Sequence, residues 1–151
     1  MAYDVKTVAN EFLDLAKRDG GVLDPMKIQK LVYLAHGWNL AFTGEPLIKQ
    51  QVEAWPYGPV IPNLYQEFKK FRASPITDRA SAPTNESVKE DEKRLMDAVW
   101  RKYGPLSSIQ LSMLTHETGY AWALTMKESG PFSVIPDELI RDEFVRRRQR
   151  K

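Results

Sequence analysis

No cysteine occurs in this chain of 151 residues. Its absence excludes disulfides, thiol catalysis and cysteine-ligated zinc, and it is compatible with a reducing compartment. Histidine is scarce too, with only His36 and His116, which fall in different predicted helices. The alternative of a metal site completed by Glu53 or Glu117 has no supporting short spacing. We therefore expect no metal and no other cofactor, and we interpret each histidine as hydrogen-bonded within a helical core.

Catalytic signatures are also missing. The chain has no Gly-x-Ser-x-Gly elbow, no glycine-rich phosphate loop followed by lysine, and no dinucleotide-binding turn. Ser107 and Ser108 fit helix capping better than nucleophilic catalysis, because they precede an apolar helical pattern with a glutamine at the capping-box position. We predict that the chain is not an enzyme and has no catalytic residues.

Long apolar runs and strong net charge are absent as well. The longest apolar stretch, around residues 31–34, is too short to span a bilayer, and the first residues do not resemble a signal peptide. The net charge of +2 gives no overall reason to expect a membrane or nucleic acid as partner. We therefore expect a cytoplasmic domain.

A locally basic helix end, residues 141–151, is the exception to this weak charge. Four arginines and a lysine fall within the last six residues, so contacts with nucleic-acid phosphates are an alternative. Acidic residues at the start of the same helix and basic residues at its end also suit the helix dipole. We favour a solvated helix end over a phosphate-binding tail.

What the sequence does contain is helical periodicity, which predicts one mainly α domain over residues 1–151. We predict a compact bundle of about five to six helices, with at most a small β-hairpin near residues 46–55. The helix over about 25–43 is apolar on more than half of its circumference, so it should be central, with Trp38 buried. Five further helices are predicted to begin near Asp4, Pro62, Ser87, Ser107 and Pro136. We interpret residues 73–87 as a flexible loop, and residues 118–135 as irregular with Trp122 as an anchor.

The most unusual segment is Trp55-Pro56-Tyr57-Gly58-Pro59-Val60, in which prolines and a glycine stiffen the backbone around two aromatic residues. Stiff aromatic side chains lose little entropy on contact and recur at the centres of interfaces. A corner that merely braces the central helix is the alternative, and both roles can hold if Trp55 faces inward and Tyr57 outward. The candidate partner-binding residues are Trp55, Tyr57, Gly58, Pro59, Val60 and Tyr65.

Several of these residues also carry a resemblance to a known family. The segments 30–38, 44–47 and 53–60, together with 103–107, 111–116 and Trp122, resemble the Panacea domain, the SocA-like antitoxin domain also found in GepA-like and phage-associated proteins. The resemblance covers about residues 5–125, and its most specific part is Glu-Ala-Trp-x-x-Gly-Pro-Val.

This resemblance implies a bacterial or prophage antitoxin that neutralises a cognate toxin, generally through direct protein contact. One family member is known as an adaptor that delivers its toxin to a protease, so blocking and delivery both remain open. A homo-oligomer also remains open. Some relatives carry an additional DNA-binding domain, for which this chain has no room. The other class of function left open is a small mobile-element protein that acts as a proteolytic adaptor or binds nucleic acid through its basic tail.

Overall fold

The computed structural model describes residues 2–150 and confirms a mainly helical domain with a small sheet. Within these residues the chain forms seven α-helices, one short 3₁₀ turn and three strands, somewhat more than the five to six helices and the hairpin predicted. In chain order they are α1 (Val5–Arg18), α2 (Pro25–Thr43), β1 (Val52–Trp55), β2 (Gly58–Val60), α3 (Pro62–Phe68), a 3₁₀ turn (Lys69–Phe71), α4 (Glu90–Tyr103), α5 (Ser108–Thr115), α6 (Ala121–Glu128), β3 (Ser133–Ile135) and α7 (Asp137–Gln149). None of the described helices has both the length and the apolar character needed to cross a membrane.

The ends of the predicted helices follow their local capping signals. The Asp4 carboxylate accepts from the Lys6 amide and the Asp24 carboxylate from the Lys27 amide, so both caps are confirmed. Ser107 forms a reciprocal capping box with Gln110 at the start of α5. Gly44 ends α2 with a φ of 76°, a conformation that glycine adopts without steric cost.

The central element is α2, which is buried without interruption from Ile28 to Leu40. It packs against α1, α3, α4, α5 and α7, as its wide apolar face predicted. On α5, Leu111 is buried and Leu114 partly buried, whereas Ile109 is exposed. An eight-residue helix has room for one narrow buried stripe, and Ile109 lies off it.

The small sheet has the strand order β2-β1-β3, and both pairings are antiparallel. Glu53 lies opposite Val60 on one side of β1 and opposite Val134 on the other. The interpretation of residues 118–135 as irregular was wrong, because α6 and β3 both lie there. Neither has a strong local signal: α6 has no side-chain cap, and three-residue β3 is defined by its pairing with β1, about 80 positions earlier in the chain.

Residues 73–87 contain neither helix nor strand, as predicted, but they are anchored. Ala80 and the Asn10 amide exchange two hydrogen bonds, of 2.7 and 3.0 Å. The Glu86 carboxylate accepts from the Asp4 amide and the Thr7 hydroxyl at the start of α1. The flexibility of this segment stays a prediction.

Helices α2 and α7 approach each other closely at Gly37. A Cβ atom placed on Gly37 would lie 2.2 Å from the Phe144 ring, far inside van der Waals contact. Trp38, the next residue, packs edge-on against the same ring, with centroids 5.2 Å apart. Its indole nitrogen donates to the Tyr103 hydroxyl at 3.1 Å, so the buried ring leaves no polar atom unpaired.

Gly37→Ala is expected to destabilise the domain by about 1–3 kcal/mol, the usual cost of overpacking, because Phe144 must move. Gly21→Ala is a matched control, since its Cβ would meet the Trp100 ring at an ordinary 3.5 Å. Urea unfolding of both variants measures the difference. Equal stability of the two variants would show that α2 and α7 do not meet as described.

Trp38→Ala is expected to cost about 3–5 kcal/mol of unfolding free energy, as large-to-small aromatic changes in cores do. Thermal denaturation followed by circular dichroism checks this value. A variant that melts within a degree or two of the wild-type chain would show that Trp38 is not part of the core.

Candidate functional site

The turn between β1 and β2 divides the predicted partner-binding residues into two groups. Tyr57, at its tip, is 75% exposed, and Tyr65 on α3 is also exposed. Trp55 is half-buried, so the inward position predicted for it is only partly reached. Gly58, Pro59 and Val60 are buried. These three residues support the turn, and their inclusion among the contact residues stays a prediction.

The turn is held by hydrogen bonds to its carbonyl groups. Each donor comes from a different part of the chain, so the turn is fixed from several directions. The four bonds run from Lys30 Nζ to Pro59 (3.0 Å), from Ser112 Oγ to Tyr57 (3.0 Å), from Trp122 Nε1 to Trp55 (2.7 Å) and from the Phe132 amide to Ala54 (2.6 Å). The expectation that Trp122 acts as an anchor is thereby confirmed.

Gly58 is required by both conformation and space. Its φ of 123° is disfavoured for residues that carry a Cβ atom. A Cβ there would also lie 2.9 Å from Lys30 Nζ and 3.1 Å from Thr115 Oγ1. The backbone of the turn therefore rests directly on the lysine that holds it.

Lys30 is a lysine of the central helix with only 2% of its surface exposed. Burial disfavours its charged form and lowers its pKa to about 8. It forms no ion pair with a carboxylate within residues 2–150, and its recorded hydrogen bond goes to the Pro59 carbonyl. A charged ammonium group forms a stronger hydrogen bond to a carbonyl acceptor than a neutral donor does.

The two histidines have different surroundings. His36 is buried, and its Nδ1 accepts from the amides of Leu47 (3.2 Å) and Ile48 (3.4 Å). The proton therefore lies on Nε2, which donates to an Asp137 carboxylate oxygen at 2.9 Å. This confirms the hydrogen-bonded core interpretation for His36 and accounts for the position of the 46–48 segment.

His116 does not follow that interpretation. Its Nε2 is buried without a hydrogen-bond partner in the described chain, and its ring packs edge-on against Trp122 at 4.2 Å between centroids. Burial lowers its pKa, and the nearby Lys30 charge lowers it further. Residues 2–150 contain no cluster of three side chains able to hold a metal.

Aromatic side chains surround Trp55 on the outside of the sheet. The Trp55 ring meets Tyr65 at 5.0 Å and Phe132 at 5.5 Å, both edge-to-face, the preferred geometry for aromatic pairs. Phe132 is exposed and was missed from the sequence, since it lies in the segment interpreted as irregular. We call Trp55, Tyr57, Tyr65 and Phe132 the aromatic corner.

The basic helix end is largely exposed, but three of its arginines contact the preceding part of the chain. Arg146 and Arg147 donate to the carbonyls of Gly119 and Leu114, and Arg150 pairs with Glu117 at 2.8 Å. These bonds dock α7 onto the loop between α5 and α6. Arg146, Arg148 and Arg150 remain exposed, in keeping with the predicted solvated helix end, whereas Arg147 is partly buried. Lys151 lies outside the described residues.

Three segments that are distant in sequence thus meet at one place: α2 at Lys30, the turn before β2, and the stretch from Ser112 to Trp122. This arrangement defines a class of mainly helical domain that presents an aromatic turn fixed by hydrogen bonds from other elements. The family model for the SocA-like antitoxin, Panacea domain, matches residues 28–123, which contain all three segments. The chain belongs to this family.

One curated relative is similar along most of its length. Antitoxin SocA from Caulobacter vibrioides (strain NA1000 / CB15N) is 30% identical over 158 aligned positions, covering 93% of this chain and 82% of that protein. No solved structure matches the chain significantly. Phe132 and α7 lie beyond the residues matched by the family model.

Lys30→Met is expected to change how stability depends on pH. The folded-state pKa is about 8 and the ordinary value is 10.5, so between these pH values the unfolded chain binds a proton that the folded chain does not. The stability contribution of Lys30 therefore rises with pH across this window. The unfolding free energy of the wild-type chain should gain at most about 3 kcal/mol relative to Lys30→Met from pH 8 to 10.5.

Urea unfolding at several pH values between about 7.5 and 10.5 measures this difference. Lys17→Met, at an exposed position of α1, is the control and should follow the wild-type chain throughout. A Lys30→Met variant that differs from the wild-type chain by the same free energy at every pH would contradict the burial of Lys30.

Proposed function

We propose that this chain is an antitoxin that neutralises a cognate toxin by direct contact, and that the aromatic corner makes that contact. Membership of the SocA-like family supports the antitoxin role, as does the relative named an antitoxin. The toxin partner is a protein in this proposal, and no nucleic acid is required.

The observation that carries the proposal is the fixed turn below Tyr57. The Tyr57 side chain is largely exposed. The carbonyls of Trp55, Tyr57 and Pro59 each accept a hydrogen bond from a side chain of another element. A contact residue on an ordered backbone loses less conformational entropy on binding, so more of its contact energy appears as affinity. Exposed tyrosines supported in this way are typical of interface hot spots.

The proposed mode of action is stoichiometric binding without catalysis. Lys30 and His116 are the side chains near the corner with the strongest capacity for acid–base chemistry. Lys30 lies beneath Gly58 and is bonded to the Pro59 carbonyl, and the His116 Nε2 atom is buried against solvent. Both positions support a structural role, because Lys30 is covered by the turn and the His116 Nε2 atom is buried.

Co-expression tests the proposal. The reading frame adjacent to this gene is expressed from an inducible promoter, with and without this chain, and growth and co-purification are measured. The proposal expects the neighbour to arrest growth, this chain to restore growth, and the two proteins to purify together. A neighbour that is toxic yet is neither neutralised nor bound would refute it.

Tyr57→Ala should raise the Kd for the toxin about tenfold or more, since hot-spot truncations cost upwards of 1.4 kcal/mol. The melting temperature should stay within about 2 °C, because removal of an exposed side chain rarely shifts stability by more than 0.5 kcal/mol. Isothermal titration calorimetry and thermal denaturation provide the two measurements.

Val22→Ala is a matched control, because Val22 is 68% exposed but lies in the loop before α2, outside the aromatic corner. It should leave both the Kd and the melting temperature unchanged. If Tyr57→Ala binds the toxin as tightly as Val22→Ala does, or if it loses stability and affinity together, the contact lies elsewhere.

A further inference from the structure

A second surface lies on the other side of α5 from the turn. Two adjoining cavities of about 810 and 360 Å³ run along α4, and both are lined by Trp38, Lys102 and Tyr103. Met113 also lines the larger cavity, whereas its neighbour Ser112 holds the turn. We call these two cavities the cationic groove.

The floor of the groove is apolar, and its two ends expose large apolar side chains. Leu114 lines the larger cavity, and Leu95 and Val99 line the smaller one. Met113 at one end is 68% exposed, and Phe42 at the other is 52% exposed. Exposed apolar side chains that converge on a concave surface are typical of protein-binding sites.

Two cationic side chains lie over aromatic rings of the groove and have no counterion within residues 2–150. Lys102 Nζ lies 5.5 Å from the Trp38 ring centroid, and the Arg148 guanidinium lies 4.8 Å from that of Phe42. Neither side chain forms an ion pair with a carboxylate within residues 2–150, although the neighbouring arginines do: Arg147 pairs with Glu143, and Arg150 with Glu117. Among the described lining residues of the groove, Glu117 is the acidic one, and its charge is thus already compensated.

We propose that the cationic groove binds an acidic segment of a protein partner, with apolar side chains of that segment on the floor and its carboxylates on Lys102 and Arg148. The charge complementarity follows from these two unpaired cations, and the apolar contact follows from Phe42 and Met113. Recognition of this kind, with apolar anchors in a groove and charge at its edge, is common for amphipathic peptide segments. The inference does not depend on the proposed role of the aromatic corner.

Nucleic acid fits the groove less well than an acidic peptide does. Binding to a phosphate backbone needs a row of cations, and here the neighbouring arginines are already neutralised by carboxylates.

Selection from a phage-displayed library of random peptides, with the full chain immobilised, tests the inference. The selected peptides should combine Asp or Glu with aromatic or aliphatic residues. For a synthetic copy of such a peptide, Lys102→Glu with Arg148→Glu should raise the Kd at least about tenfold, because like charges now face each other. Neither residue holds an ion pair in the described chain, so the variant should fold, and Lys102→Gln with Arg148→Gln provides a milder second variant.

Lys17→Glu with Lys89→Glu is the matched control, with the same change of net charge at exposed positions outside the groove, and it should leave the Kd unchanged. Recovery of no peptide that is sensitive to the groove variants would overturn the inference. So would an oligo-dT strand or a phosphatidylglycerol vesicle that binds the chain through the same two residues. A dimer of the chain that dissociates when these residues are reversed would also overturn it, since the occupant would then be a second copy.

Discussion

The polar side chains of a helix that is buried on every side cannot form hydrogen bonds with water, and this constraint shapes the domain. An unpaired buried polar group costs on the order of 1–3 kcal/mol, so each one on α2 needs a partner inside the protein. The partners are mostly backbone groups of loops. Gln29 exchanges two bonds with Ile61, Lys30 donates to Pro59, His36 accepts from Leu47 and Ile48, and Asn39 donates to Glu45. The central helix therefore fixes the loops as well as the core, and the turn below Tyr57 is one of them.

Local signals in the sequence predicted much of the fold. The caps at Asp4, Asp24 and Ser107 and the stop at Gly44 depend on neighbours within four positions, so they can be recognised without a structure. The buried centre of α2 followed from its apolar width. The exposure of Tyr57 agrees with one of the two alternatives that the stiff segment around it left open.

The parts of the fold and of the candidate site that were not predicted depend on contacts between distant parts of the chain. β3 exists because β1 pairs with it, and Phe132 joins the aromatic corner for the same reason. The docking of Arg146 on Gly119 and the position of Lys30 beneath Gly58 have no signature in local sequence. A buried lysine inside an apolar helical run resembles any amphipathic lysine until its partner is known. Apart from Trp122, the supports of the candidate site were thus missed, while its exposed tip was among the predicted residues.

The central claim is that the turn is ordered before any partner arrives, because side chains from three helices hold its carbonyls. Nitrogen-15 relaxation of the isolated chain measures this order at the amides of Tyr57 and Gly58. The account predicts order parameters near about 0.85, equal to those of a rigid backbone, and a clear decrease in Lys30→Met. Values below about 0.6 in the wild-type chain would contradict it, because the turn would then be flexible on the picosecond-to-nanosecond timescale.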